Sequence, residues 1–286
     1  MDVEDRVDQG GRCSAALQQE LDFPMGHQRL GKLPAYRLLP EIVRYFVTGG
    51  TPTADLVDQV TEVGRDALKL ALKDPVFIEA LWLLLRIPQA AGSDDFAREM
   101  QALGVPVAGS ASLADILVAY DRALERTQRQ ASDSATDLGE IARRAALSAF
   151  GEAVNNRLPG LWAPTSDDVR ASVSALKGTE HFASMAHNFY ANMVERVIHY
   201  FVDRNLHHMV GPDRVEKSVN DLRTFNAAIQ RHCNESALIM RAFAKDWLGK
   251  NHFRDGKQIT RDAFRRFSAH AVEKIRIELN LRKGER

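Results

Sequence analysis

The sequence predicts an all-α protein, a multi-helix bundle made of two helical subdomains with long C-terminal helices. Apolar side chains recur at spacings of three and four residues over most of the chain, which is the periodicity of a helix face packed on a core. Asp, Ser and Thr precede many of these runs, and Gly or Pro follows them, as expected at helix ends. No stretch alternates apolar and polar residues long enough to form a strand.

The composition indicates a globular chain without a membrane anchor. Of its 286 residues, 45% are hydrophobic and 27% are charged, which is enough for one large domain or two ordinary ones. The longest apolar run, Ala80 to Leu85, is far shorter than the roughly 20 residues of a membrane span. The acidic, polar start resembles no secretion signal. Only Cys13 and Cys233 are present, so a disulfide framework is excluded. We therefore expect a cytoplasmic protein, and an Arg-rich, Ala-rich composition typical of bacteria with GC-rich genomes.

The chain is expected to begin with a flexible arm over residues 1–30, because few bulky apolar side chains occur there. Residues 31–158 are then predicted to form an N-terminal helical subdomain. Its first two helices cover Pro34 to Val47 and the region that ends near Leu72. Asp74 and Pro75 open the next helix, which is apolar on nearly all sides and is expected at the centre of the subdomain, with Pro88 closing it.

Further helices are predicted after this central one. Ser93 opens a short helix, Ser112 and Asp115 form a capping pair, and a helix from Leu138 to Leu158 follows a polar break over Gln128 to Thr136. Residues 159–166, which include Pro159, Gly160 and Pro164, are predicted to be a linker. Trp162 in this linker is a candidate for packing between the two subdomains.

Residues 167–286 are predicted to form a C-terminal helical subdomain with a basic last helix. After helices at 166–178 and 181–209, one long helix is expected, since apolar positions recur every 3.56 residues, about the period of a packed helix. A break of this helix near Asn234 is the alternative. A turn over Phe253 to Gln258 precedes a last helix that Thr260 caps. The predicted core face of the long helix contains Val215, Val219, Leu222, Phe225, Ile229, Cys233, Ser236, Met240, Phe243 and Trp247.

Charge is segregated along the chain although its formal net charge is zero. Residues 213–286 carry 17 Lys or Arg against 10 Asp or Glu, a net charge of +7 that the first 212 residues balance. A basic helix face could neutralise nucleic acid phosphates, but it could equally dock an acidic partner or be a solvated surface suited to the helix dipole. The candidate binding residues are Lys257, Arg261, Arg265, Arg266, His270, Lys274, Arg282 and Lys283.

A row of possible metal ligands follows one helix at steps of four residues: Glu195, His199, Asp203 and His207. Neighbouring members of such a row share a face and could hold an ion. All four cannot bind one ion, because the row is about 18 Å long at 1.5 Å per residue. A polar face stabilised by charge pairs would contain the same residues, so no metal is predicted.

The spacing of Arg265 and His270 fits the R-x4-to-6-H pattern of HEPN ribonucleases, which are also all-α. This resemblance implies ribonuclease activity with Arg265 and His270 as catalytic residues. The chain has 28 Arg and 9 His, so such a spacing also arises readily by chance. The alternative interpretation is that the two residues belong to the basic surface of the last helix.

The sequence contains no nucleotide-binding glycine motif and no nucleophile elbow. We therefore predict a non-catalytic accessory or assembly subunit of a bacterial multi-protein system that acts by protein-protein contacts, without a cofactor and without membrane binding. Other protein subunits are the expected partners, and homo-oligomers are compatible with the pattern. A nucleic-acid-binding subunit that uses the basic C-terminal helix is one alternative, and the HEPN-like ribonuclease is the other.

Overall fold

The computed structural model describes residues 64–131, 136–160, 162–205, 215–255 and 259–281. Over these residues the chain is all-α and contains no strand, which confirms the predicted fold class. A helical segment, 64–71, precedes nine helices. The nine are α1 (Pro75–Ala91), α2 (Phe96–Ala102), α3 (Leu113–Ala131), α4 (Asp137–Asn155), α5 (Ser166–Ala175), α6 (Thr179–Asn205), α7 (Val215–Ala237), α8 (Ile239–Asp255) and α9 (Arg261–Leu281). The predicted arm 1–30 and the helix at 34–47 lie outside the described residues.

Helix α1 lies at the centre of the bundle, as its apolar sequence predicts. It packs against α2, α3, α4, α5, α6 and α9, and nearly all of its side chains are buried. The prediction that Pro88 ends this helix is wrong. Its ring is buried and the helix runs one more turn, to Ala91, although a proline cannot donate a hydrogen bond to the carbonyl one turn earlier. Gly92 then donates to the carbonyl of Gln89 at 3.2 Å and ends the helix.

Helix α6 is the second element around which the bundle is built. It packs against α1, α4, α7 and α8. Phe189 of α6 lies 5.6 Å from Phe77 of α1, centroid to centroid, and Tyr190 packs edge-on against the same ring at 6.0 Å. The buried apolar residues form one continuous cluster on both sides of residues 159–166. Trp162 does not pack between the two halves, because it is 71% exposed. The boundary between the predicted subdomains 31–158 and 167–286 stays a prediction.

The long helix predicted from Val215 to Trp247 is divided at Leu238 into α7 and α8. Leu238 is 46% exposed, and its backbone N–H bonds the Glu235 carbonyl at 3.2 Å in a tight turn. Much of the predicted core face is buried on either side of this turn, including Phe225, Cys233 and Met240. The apolar residues of α7 and α8 follow one helical period through the turn, because both helices pack the same side against α6. The spacing in the sequence therefore does not show the turn.

Two further predicted boundaries are wrong by a turn. Helix α3 runs to Ala131 through the start of the predicted polar break, because Gln128 is buried and Arg129 pairs with Glu125 one turn earlier at 2.5 Å. Helix α8 runs to Asp255 through the start of the predicted turn. The side-chain amide of Asn251 donates to the Trp247 carbonyl at 2.7 Å in that region.

One carboxylate caps α1 and also holds the cap of α4. Asp74 accepts a hydrogen bond from the backbone N–H of Val76 at 2.8 Å with one oxygen, and from the hydroxyl of Thr136 with the other. Thr136 in turn caps α4 by accepting from the Gly139 N–H at 2.9 Å. The starts of two helices that are distant in sequence are thereby fixed to each other.

We expect Gly139→Ala to destabilise the protein by about 1–2 kcal/mol, the usual value of an N-cap. A Cβ at position 139 would lie 2.7 Å from the Thr136 hydroxyl oxygen and 3.3 Å from both Asp74 carboxylate oxygens. The cap must move to accommodate it. Urea denaturation of the parent and the variant measures the change.

The matched control is Gly151→Ala in the same helix. A Cβ there would meet only the Leu117 methyl groups at ordinary distances of 3.7 and 3.8 Å. We expect it to stabilise the protein by about 0.5–1 kcal/mol, because alanine loses less backbone entropy in a helix. Equal midpoints for the two variants would show that the Asp74 and Thr136 cap contributes little.

Candidate functional site: the C-terminal helix and its groove

Helix α9 carries most of the predicted binding residues, and its orientation is set at its first turn. The Thr260 hydroxyl accepts a hydrogen bond from the Ala263 N–H at 3.2 Å, which confirms the predicted cap. The apolar face predicted from the three-and-four spacing is also confirmed, since all of its members are at most 1% exposed. These members are Phe264, Phe267, Ala271, Ile275 and Leu279.

Aromatic rings on this face attach α9 to three other helices. Phe264 packs edge-on against Trp82 of α1, with centroids 5.4 Å apart, and against Trp247 of α8 at 5.8 Å. Phe267 contacts Trp247 at 4.5 Å and Phe182 of α6 at 6.0 Å. Each such contact adds about 0.5–1.5 kcal/mol to the stabilisation from buried area. Helix α9 is therefore part of the core, and its opposite side is a surface held in a fixed position.

Arg261 extends this attachment with a charge pair to α1. Its two terminal nitrogens donate to the two oxygens of Glu79, the longer contact measuring 3.1 Å. Its guanidinium also lies 5.2 Å from the ring centroid of Trp82. The Glu79 side chain is only 11% exposed, so hydrogen bonds from the Arg261 guanidinium replace those that water would make to its carboxylate. Sequence reasoning missed this contact because the two residues are 182 positions apart.

The other predicted cations on α9 are exposed. The Arg265 side chain is 68% exposed and lies 3.9 Å from Asp262 one turn earlier. Arg266 and His270 are exposed too, and the Lys274 ammonium lies 5.3 Å from the Phe243 ring centroid. Lys257, Arg282 and Lys283 lie outside the described residues.

Helix geometry separates these residues into two surfaces, because successive side chains are about 100° apart. Arg261 and Arg265 are directed towards α1. Arg266, His270, Lys274 and the exposed Ile277 share an arc of about 80° on the outer side, and we name these four residues the outer ridge. Sequence reasoning did not single out Ile277, which is 50% exposed.

A groove of about 480 Å³ lies between the first turns of α1 and α9, next to the last turns of α3. We name it the α1–α9 groove. Its apolar lining includes Leu72, Ile78, Trp82 and Ala269. The charged residues that line it are Lys73, Asp74, Glu79, Arg261 and Arg265.

The structure does not bring the predicted ribonuclease pair together. Arg265 and His270 lie five residues apart on one regular helix, so their side chains leave the axis about 140° apart. Arg265 lines the α1–α9 groove, whereas His270 lies on the outer ridge. Their catalytic role stays a prediction without support from this geometry.

Of the four predicted metal ligands, the structure shows only the first two close to each other. His199 Nε2 lies 3.9 Å from a Glu195 carboxylate oxygen, which is an ion pair when the ring is protonated. Asp203 lies in α6 with a side chain that the structure does not describe, and His207 is outside the described residues. Within the described part of the chain, no three His, Cys, Asp or Glu residues are grouped as metal ligands.

The interface between α6 and α7 contains buried polar groups that sequence reasoning missed. His187 is 6% exposed, and its two ring nitrogens lie 3.1 Å from the Asn188 side-chain oxygen and 3.0 Å from the Asn234 carbonyl oxygen. Cys233 on the facing helix is buried, as predicted. Burial, together with the negative charge of Glu195, raises the pKa of the Cys233 thiol, so the nucleophilic thiolate is disfavoured there.

We expect Cys233 to be unreactive towards a thiol reagent in the folded protein, since burial removes both access and thiolate. The measurement uses a Cys13→Ser variant, so that Cys233 is the only thiol. One thiol per chain should react once denaturant unfolds the protein. Rapid labelling of the folded variant would contradict the buried position.

We expect Arg261→Gln to destabilise the protein by about 1–3 kcal/mol, because it leaves the Glu79 carboxylate buried without its cation. Glu79→Gln should cost less, since a neutral amide oxygen can still accept from Arg261. Thermal or urea unfolding of both variants measures the difference. A smaller loss for Arg261→Gln than for Glu79→Gln would contradict the pairing.

No helix in the described ranges is both long enough and apolar enough to cross a bilayer. Comparison of the chain with protein-family models, with curated proteins and with solved structures finds no match.

Proposed function

We propose that this chain is a non-catalytic accessory or assembly subunit in the bacterial cytoplasm, and that it binds another protein through the outer ridge of α9. The observation that carries this proposal is the composition of the ridge. It combines an apolar side chain, the half-exposed Ile277, with cations and a histidine on a helix whose other face is buried in the core.

Part of the cationic charge of α9 is paired within the helix or across to α1. Arg261 pairs with Glu79 and Arg276 pairs with Glu273 at 2.7 Å, whereas Arg265 lies 3.9 Å from the exposed Asp262 and stays accessible on the groove side. Arg266 and Lys274 have no carboxylate within 4 Å among the described residues. If these two cations alone contacted phosphates, the slope of log K against log salt for duplex DNA would be about −1.8.

Protein recognition makes better use of this surface. Interfaces commonly have a few anchors that become buried, surrounded by polar groups that set orientation. Ile277 fits the role of an anchor, and the ridge cations fit the polar rim. Because α9 is fixed by aromatic contacts, little entropy is lost in ordering the ridge when a partner binds.

Nucleic acid binding is the second candidate, supported by one observation. Arg266, His270 and Lys274 are exposed at i, i+4 and i+8 on the same side of α9, a pattern that can follow a phosphate backbone. If this candidate holds, Arg266→Gln should lower the slope of log K against log salt by about 0.9 on duplex and weaken all sequences alike.

The test is affinity purification of the tagged chain from its native host, compared between the parent and two variants. Ile277→Glu places a charge at the proposed anchor, and Val118→Glu is the matched control, because Val118 is 49% exposed on α3 and Ile277 is 50% exposed on α9. We expect a defined partner protein with the parent and with Val118→Glu, and about a tenfold or greater loss with Ile277→Glu.

Two results would contradict the proposal. Equal recovery of the partner with both variants would exclude the outer ridge as the contact. Recovery of nucleic acid in place of protein, lost when salt is raised from about 50 to 200 mM, would favour the second candidate. Circular dichroism melts of both variants establish that neither substitution acts through unfolding.

A further inference from the structure

We propose that the α1–α9 groove receives an acidic amphipathic segment of the partner protein, with apolar side chains in the groove and carboxylates at its rim. This inference rests on the proposed function and specifies the chemistry of the partner. It concerns a different surface of α9 from the outer ridge.

The shape and lining of the groove suit apolar side chains. Its volume is about 480 Å³, within the range of about 300–1,000 Å³ in which proteins bind small ligands and side chains. Leu72 and Ile78 are partly exposed on its α1 side, and Ala269 is exposed on its α9 side. The groove lies between two helices and is partly open to solvent, which suits one face of a bound helical segment.

The carboxylates that line the groove are already used inside the protein. Both oxygens of Asp74 accept hydrogen bonds, from the Val76 N–H and from the Thr136 hydroxyl. Both oxygens of Glu79 accept from Arg261. Both carboxylates are also buried, so the exposed charged residues of the groove are Lys73, Arg261 and Arg265.

The cations at the rim remain available. Lys73 is exposed and has no ion pair among the described residues, and Arg265 is paired only across 3.9 Å with Asp262, which is itself 79% exposed. An exposed pair of this kind contributes little free energy. The exposed charges of the groove are thus positive and lie beside the apolar Leu72, Ile78 and Ala269, which complements an acidic segment with apolar anchors.

The groove and the outer ridge can serve one partner. Arg265 and Ala269 line the groove, and Arg266 and His270 follow them directly in sequence on the adjacent side of α9. A partner whose segment lies in the groove therefore reaches Ile277 along the same helix. Charges at the rim set the register of such a segment and raise its association rate.

The experiment selects peptides from a displayed random library on the full chain and on a Lys73→Glu, Arg265→Glu double variant. We expect the parent to enrich peptides that carry Leu, Ile or Phe at i, i+3 or i+4 spacings with Asp or Glu beside them. These peptides should bind the double variant about tenfold or more weakly. Replacing their carboxylates by Lys should restore binding to the double variant.

Three further variants distinguish an effect of the groove from an effect of charge in general. Arg241→Glu with Lys250→Glu reverses two exposed cations on α8, away from the groove, and should leave peptide binding unchanged. Ala269→Trp fills the groove without changing its charge and should abolish binding, whereas Ala102→Trp at an exposed alanine of α2 should not. Melting curves of every variant establish that it is folded.

Enriched peptides without acidic residues, no enriched peptides, or equal binding to the parent and the double variant would each overturn the inference. Its failure is distinguishable from failure of the proposed function. If the native partner is recovered and withstands both the charge reversal and Ala269→Trp, the groove inference fails and the assembly function stands. If acidic peptides bind the groove but no partner protein is recovered from the host, the assembly function fails and the groove remains a binding site.

Discussion

The contact between Trp82 and Phe264 holds the proposed binding surface in place. Trp82 belongs to the central helix α1, and Phe264 belongs to the first turns of α9, so their rings, 5.4 Å apart, join helices at distant points of the sequence. Arg261 covers the same indole ring and pairs with Glu79 one turn before it. Aromatic packing and a shielded charge pair thus both attach the start of α9 to α1 at Trp82. The position of the exposed side chains of α9 depends on this attachment.

This attachment also determines which charges remain for recognition. A basic terminal helix in isolation would present all of its cations to solvent. Here the core contact draws Arg261 onto Glu79, and Arg276 pairs with Glu273 within the helix. What remains is a mixed surface with the apolar Ile277 at its C-terminal end and a groove with exposed cations beside it. Such a surface suits a protein partner better than the uniform charge of a nucleic acid backbone.

The sequence predicted the elements whose cause is local. The buried face of α9 follows from the spacing of Phe264 and Phe267, its start follows from Thr260, and the burial of Cys233 follows from its place on an apolar stripe. A break near Asn234 was left open, but the turn at Leu238 could not be located, because the buried stripe keeps its period through the turn. Glu79 and the α1–α9 groove were missed for another reason, since tertiary packing creates both and no local pattern marks them.

The most direct test of this account is native-state hydrogen exchange of the α9 amides. If the aromatic contacts make α9 part of the core, the amides around Phe264 and Phe267 should exchange with the same free energy of opening as those of α1, and denaturant should affect both alike. If the α9 amides exchange through a separate local opening at much lower free energy while α1 stays protected, α9 is only loosely attached. The account of a fixed surface would then be wrong.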